Sequence, residues 1–179
     1  MTRWQLVIMC SAVATLAHPA RVTAQGLTSR AAAEADVATL DGIIGAFYDI
    51  VSHAPGEPVD WTRDSTLYLR DLRFKIVQPG DSGARVAIVD HARFAAAQSD
   101  FSEGFVEREI HRVTNRYGPM AQVFSTYEWR RSPDGPVGGR GINLIELFHD
   151  GERWWISSAM WMQETAAHPI PEQYLPPSR

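Results

Sequence analysis

The sequence predicts an α+β fold, with helices first and a run of long antiparallel strands after them. Three observations carry this. Apolar residues recur at helical spacing over residues 37–51. Four long runs in the second half alternate apolar and polar residues with a period of two. Asp150-Gly151 joins the last two runs and is the strongest hairpin signal in the chain. At 179 residues the chain is long enough for a single domain with its own core.

The first helix follows from Val37, Leu40, Ile43, Ile44, Phe47, Ile50 and Val51, which make one apolar stripe. Pro55, Gly56 and Pro58 stop it. Residues 60–66 read as one short helical turn, and residues 67–72 and 73–77 as extended. Pro79-Gly80-Asp81 marks a turn, and residues 86–89 form the return strand. Asp90 can cap a second helix that runs to about Phe101, with Phe94, Ala97 and Phe101 on one face. The four long strands are read as residues 105–115, 121–131, 141–149 and 153–164. From Pro169 onward the chain carries four prolines and no periodicity, so it forms an extended tail.

Hydrophobic residues make up 45% and charged residues 21%, an ordinary globular balance. Net charge is −4, with 17 basic against 21 acidic residues, so the basic surplus that nucleic-acid binding needs is missing. A single cysteine, Cys10, excludes an internal disulfide framework and a cysteine zinc site. Residues 1–24 read as a secretory signal peptide, with Arg3 in front of an 11-residue apolar stretch that is too short to span a bilayer. Val22-Thr23-Ala24 places cleavage after Ala24, with Ala20 as a second site. Met9 before Cys10 argues against lipidation. Cleavage would leave 15 basic and 21 acidic residues, net −6, and no cysteine. That suits an oxidising compartment. The expectation is an exported protein, periplasmic or secreted, without a membrane span. Residues 25–33 are a flexible lead-in, residues 34–165 the domain and residues 166–179 a Pro-rich tail.

The stretch GGRGINLIELFHDGERWWISSAMWMQE, which ends at Glu164, has an Asp-Gly turn followed by Trp-x-Ile near the C-terminal strand. With the order of elements, it resembles the nuclear transport factor 2-like superfamily, including its SnoaL-like members, over about residues 34–165. FVEREIHR at 105–112 and FSTYE at 124–128 look like a group of bacterial members without assigned chemistry. The resemblance implies one domain with a cystatin-like α+β barrel: a curved antiparallel sheet wrapped around the N-terminal helices into a cone, with a pocket at the open end. Members include ketosteroid isomerase, scytalone dehydratase, limonene epoxide hydrolase and polyketide cyclases, and others have no known catalysis, so the fold does not supply the function. Against ketosteroid isomerase, Phe47 falls where a tyrosine donates to the enolate and Ile145 where a second donor sits. No base carboxylate matches near residues 69–71, so steroid isomerisation is not implied. Trp161 matches the aromatic residue that lines the pocket near the end of the last strand. Asp41 is a loose analogue of the first-helix acid of scytalone dehydratase and, more simply, a residue of the helix–sheet rim.

Strict alternation puts Glu107, Glu109 and His111 on one face of a strand, neighbours about 6.8 Å apart. A carboxylate and an imidazole so placed can share a proton, which makes Glu109 and His111 the candidate catalytic pair. The plainer reading is a solvated face, since Arg108 and Arg112 interleave. Tyr48, Glu128, Asn143, Ser157 and Trp161 are the candidate pocket residues, Asn143 and Ser157 by strand parity with Trp161. Five tryptophans outside the leader suit core packing or an aromatic-lined pocket. Trp129 and Trp154 or Trp155, placed on an outer sheet face, would need covering by a second copy, hence a homodimer. The histidines lack metal-ligand spacing, no nucleophile elbow or phosphate loop is present, and Gly138-Gly139-Arg140-Gly141 reads as hairpin geometry. No metal or cofactor is expected. The expected function is binding of a small, largely apolar molecule. The alternatives are a lyase, isomerase or hydrolase with an acid–base pair in the pocket, and a non-catalytic dimerisation module.

Overall fold

The computed structural model describes residues 31–80, 83–98 and 101–177. The expected signal peptide, the start at Gln25 and residues 25–30 of the lead-in lie outside the described residues.

The apolar stripe over 37–51 is divided between two helices, α1 (Glu34–Val37) and α2 (Leu40–Val51). Thr39 breaks the run in extended conformation, and its Oγ1 accepts from the Gly42 N–H at 2.9 Å. This is an N-cap, which satisfies a donor the new helix would otherwise leave free. A Cβ on Gly42 would lie 2.5 Å from the Ala35 carbonyl, so the close approach of α1 and α2 requires glycine there. Helix α2 buries Ile43, Ile44, Ala46, Phe47, Tyr48 and Ile50. Helix α3 (Trp61–Ser65) is capped by Asp60. Arg63 ties it to the first two helices, 2.8 Å from Asp36 and 2.7 Å from Asp49. Asp90 caps α4 (His91–Ala97), which ends about a turn before the expected Phe101.

Strands β1 (Phe74–Gln78), β2 (Arg85–Val89), β3 (Val106–Tyr117), β4 (Met120–Arg130), β5 (Val137–His149) and β6 (Trp154–Gln163) form one sheet in the order β2-β1-β6-β5-β4-β3. The sheet is curved and unclosed. Every neighbouring pair is antiparallel except β1 with β6, which is parallel. Residues 67–72 do not form the expected extended segment; Tyr68 makes one isolated bridge to Ile156. The β3–β4 and β5–β6 hairpins turn at Gly118 and Gly151, with φ of 55° and 106°, a region where a side chain is strained. Between α2 and the sheet, Ile43, Ile44, Val123, Ile145 and Ile156 are fully buried.

Three register shifts interrupt the long strands, leaving Ile110 in β3, Gly138 in β5 and Ser157 in β6 as extra residues. Each is a β-bulge, and each reverses the side-chain alternation beyond it.

The tail returns over the outer face of the sheet. Ile170 is buried, and Tyr174 stacks on Phe124 with ring centres 5.2 Å apart. The Tyr174 carbonyl accepts from Thr126 Oγ1 at 2.5 Å. The tryptophans expected to need a second copy are placed otherwise. Trp129 is on the inner face, and Trp154 and Trp155 are buried within the chain, under Arg116 and Arg153 respectively. Among the described residues no helix is long and apolar enough to cross a membrane.

Candidate functional site

A cavity of about 560 Å³ lies between the helices and the inner face of the sheet. This is within the size range of small-molecule sites. Half of the residues that line it are aromatic, among them Phe47 from α2, Trp61 from α3, Phe74 from β1, Phe94 from α4, Tyr127 and Trp129 from β4, and Trp161 from β6. Phe74, Phe94 and Trp161 pack on one another with ring centres 4.8–5.7 Å apart.

Missing side chains on β5 make place for two of these rings. A Cβ on Gly138 would lie 2.3 Å from the Trp129 ring, and one on Gly141 would lie 2.4 Å from the Tyr127 hydroxyl. The expected hairpin glycines are therefore strand residues over which the two aromatic rings lie. This also explains why β5 begins at Val137, ahead of the expected residue 141. The register of β4 against β5, which sets Tyr127 opposite Gly141 and Trp129 opposite Gly139, makes this fit.

Glu107 stands on the cavity wall, opposite Trp129 in the β3–β4 ladder. Ser52, just after α2, fixes its backbone: the Glu107 N–H donates to Ser52 Oγ at 3.0 Å, and that hydroxyl lies 3.2 Å from the Glu107 carbonyl. Among the described residues the Glu107 carboxylate has one hydrogen-bond donor, Asn143 Nδ2 at 3.2 Å, and no cationic partner. Burial pushes its pKa up to about 7, and the Asn143 bond only partly opposes this. The Tyr127 hydroxyl, raised by burial and then by the Glu107 charge, stays protonated beside it.

Behind Glu107 runs a chain of hydrogen bonds whose direction can be derived. Glu109 is held by Arg112 through two guanidinium nitrogens, at 2.8 Å and 2.6 Å, so it is an acceptor. Ser125 Oγ donates to it in a short contact. Ser125 must then accept from the Tyr48 hydroxyl, 2.6 Å away. Tyr48 in turn accepts from Asn143 Nδ2 at 3.0 Å, which leaves the second N–H of that amide for Glu107. Arg112 ends the chain at exposed Asp41, 2.5 Å away. Burial, first among its causes, holds the Tyr48 pKa far above the usual range. Tyr48 is therefore a fixed, protonated link.

A second buried acid is fully partnered. Asp64 accepts from the Tyr68 hydroxyl at 3.0 Å and lies 2.7 Å from His91 Nε2. The Tyr68 hydroxyl, on a residue that lines the cavity, thus has a partner of its own. Among the described residues no three His, Cys, Asp or Glu side chains gather as a metal-ligand set.

The expected site residues are brought together in part. Asn143 and Trp161 line the cavity, and Tyr48 lies one hydrogen bond behind Asn143. Ser157 does not line it: as the bulge residue of β6 it donates to the Glu146 carbonyl at 3.0 Å. Glu128 faces outward with the even-numbered residues of β4, 2.6 Å from Arg108 and 2.8 Å from Arg130. Burial alone would raise the Glu128 carboxyl, but the two guanidinium groups hold it below the usual carboxylate range.

The expected common face of Glu107, Glu109 and His111 is corrected by the bulge at Ile110. Glu107 and Glu109 face inward, opposite Trp129 and Tyr127. His111 pairs with Thr126 on the outer face, and Arg112 takes the inward position opposite Ser125. Glu109 and His111 are thus not an acid–base pair across the cavity, and Glu107 is the carboxyl that enters it. Strict alternation carries no sign of a bulge. The Glu-Arg-Glu-Ile-His-Arg order holds one weak signal: only the shift lets an inward carboxylate meet an inward arginine at i+3.

No protein-family model matches the chain, and comparison with curated proteins gives no match. Solved structures do match. A protein of unknown function with a cystatin-like fold from Nostoc punctiforme is 12% identical, with a TM-score of 0.50 over 69% of this chain and 87% of that one. A proposed dehydratase of the NTF2-like family from Streptomyces avermitilis is 17% identical, with a TM-score of 0.50 over 73% of this chain and 97% of that one. The likeness is one of fold: the chain has the cystatin-like, nuclear transport factor 2-like architecture.

Proposed function

We propose that the cavity binds a small, largely apolar molecule and that Glu107 is the polar group that meets it. One observation carries this reading: a carboxyl without a cationic partner among the described residues stands on the wall of an aromatic-rich cavity of about 560 Å³. Isolated carboxylates are costly to bury and are seldom kept for stability. Neutral N-phenyl-1-naphthylamine, which fluoresces in apolar surroundings, tests the reading. It should bind the protein near one-to-one, and Phe94→Arg, which places a charge in the aromatic wall, should weaken it at least about tenfold. Equal binding by both proteins would overturn the assignment of the cavity.

Acid–base catalysis of the lyase or isomerase kind is the second reading. It is favoured by a carboxyl that titrates near neutrality, where one group can both take and return a proton, and by the fold shared with a proposed dehydratase. Glu107 would act as the base, and the protonated Tyr127 hydroxyl could donate to the oxygen that gains charge. The N-terminal segment supports export with the mature chain starting at Gln25, and intact mass from the producing cell checks that start.

A further inference from the structure

We propose that the cavity's ligand is an organic cation, an amine or quaternary ammonium carried on an apolar body, with its charge seated against Glu107. The inference rests on the small-molecule reading above and names the class of molecule. A carboxylate has about four acceptor positions, and here one is used, by Asn143. The surrounding aromatic rings offer no charge to balance it. They offer π-faces, which attract cations and do not attract anions. A cation therefore gains twice, from Glu107 and from the rings, while an anion loses on both counts. The rim shows the same preference within the chain: the Arg131 guanidinium lies over the Trp129 ring, 5.2 Å from its centre. Arg131 is 3.0 Å from Glu103, so the rim pair adds no net charge to oppose an incoming cation. The whole chain carries a net charge of −4, which favours the approach of cations.

The other titratable or charged groups that face this space are His53 after α2, Tyr68 after α3, Tyr127 on β4, and Glu103 with Arg131 at the rim. Tyr68 and Tyr127 stay neutral through the working range, raised first by burial. His53 is the group that could imitate a Glu107 effect, and the test controls for it.

Phenyltrimethylammonium and its neutral isostere tert-butylbenzene are compared as competitors against N-phenyl-1-naphthylamine. At about pH 8 the cation should bind the more tightly. Its affinity should fall about 100-fold on going to about pH 5, as a single carboxyl near 7 protonates, while that of tert-butylbenzene should stay within about twofold. Glu107→Gln should abolish the pH dependence, and His53→Gln should preserve it. Tighter binding of the neutral isostere at pH 8, or a pH dependence that survives Glu107→Gln, overturns the cation inference and leaves the cavity reading standing. If neither the naphthylamine nor either competitor binds, the cavity reading itself is overturned, and the inference goes with it.

Discussion

Glu107 and Glu109 stand two residues apart on the same strand and face inward together, yet they live in opposite electrostatic surroundings. Glu109 is gripped by Arg112 through two nitrogens and receives the Ser125 hydroxyl. Glu107 receives one amide N–H and otherwise meets a cavity. Together they teach that one strand face can hold a carboxylate used for structure and one kept unpaired, with Asn143, Tyr48 and Ser125 as the insulated link between them. The pairing around Glu109 lends direction to the amide that touches Glu107.

Breaking the paired end should give the largest effect. Arg112→Met keeps much of the apolar stem but leaves Glu109 half-buried without its cation. Loss of one partner of a buried ion pair is strongly destabilising, and a cost of about 3 kcal/mol is expected by urea denaturation at neutral pH. A loss below about 0.5 kcal/mol would show that Glu109 is as weakly held as Glu107, and the contrast would vanish.

Neutralising the unpaired end should act with the opposite sign. The folded-state pKa of Glu107, about 7, lies above its ordinary value of 4.5. A raised carboxyl binds more protons in the folded state, so this group costs stability progressively as pH rises from about 4.5 to about 7. Glu107→Gln removes that cost. The variant should match the wild type near pH 4.5 and exceed it by about 1–3 kcal/mol above pH 7.5. Denaturant midpoints across this range decide the matter, and a variant less stable at high pH would mean that Glu107 has a cation partner.

The two ends also differ in how much of them the sequence shows. Long alternating strands, the Asp150-Gly151 hairpin and the Asp90 cap could be read because each rests on local spacing or one turn chemistry. Trp161 followed from the family resemblance, and Asn143 from parity with it, the two residues being direct partners across the ladder. Ser157 and His111 did not, since a single extra residue reverses every side chain beyond it and leaves no compositional mark, and with His111 went the expected pairing with Glu109. The division at Thr39 could be read in principle, because threonine is a preferred N-cap residue, but the continuous apolar stripe outweighed it. The Gly138–Gly141 platform needed knowledge of which aromatic rings lie across the ladder, a tertiary fact.

The smallest expected effect tests that lost parity directly. If β3 alternated without interruption, His111 would share the inner face with Glu107 and Glu109, and its removal would strip the cavity of an imidazole. With Ile110 as an extra residue, His111 instead stands opposite Thr126 on the outer face, near the returning tail. It is half-buried, and its removal takes away no inward contact. His111→Ala should therefore change stability by no more than about 0.5 kcal/mol, the usual range for a surface site. Its affinity for N-phenyl-1-naphthylamine should stay within about twofold of the wild type at any pH. Glu107→Gln in the same denaturation measurements should raise stability above about pH 7.5, so the two variants separate the faces of one strand. A tenfold loss of probe binding in His111→Ala would place the ring at the cavity and remove the bulge from the account.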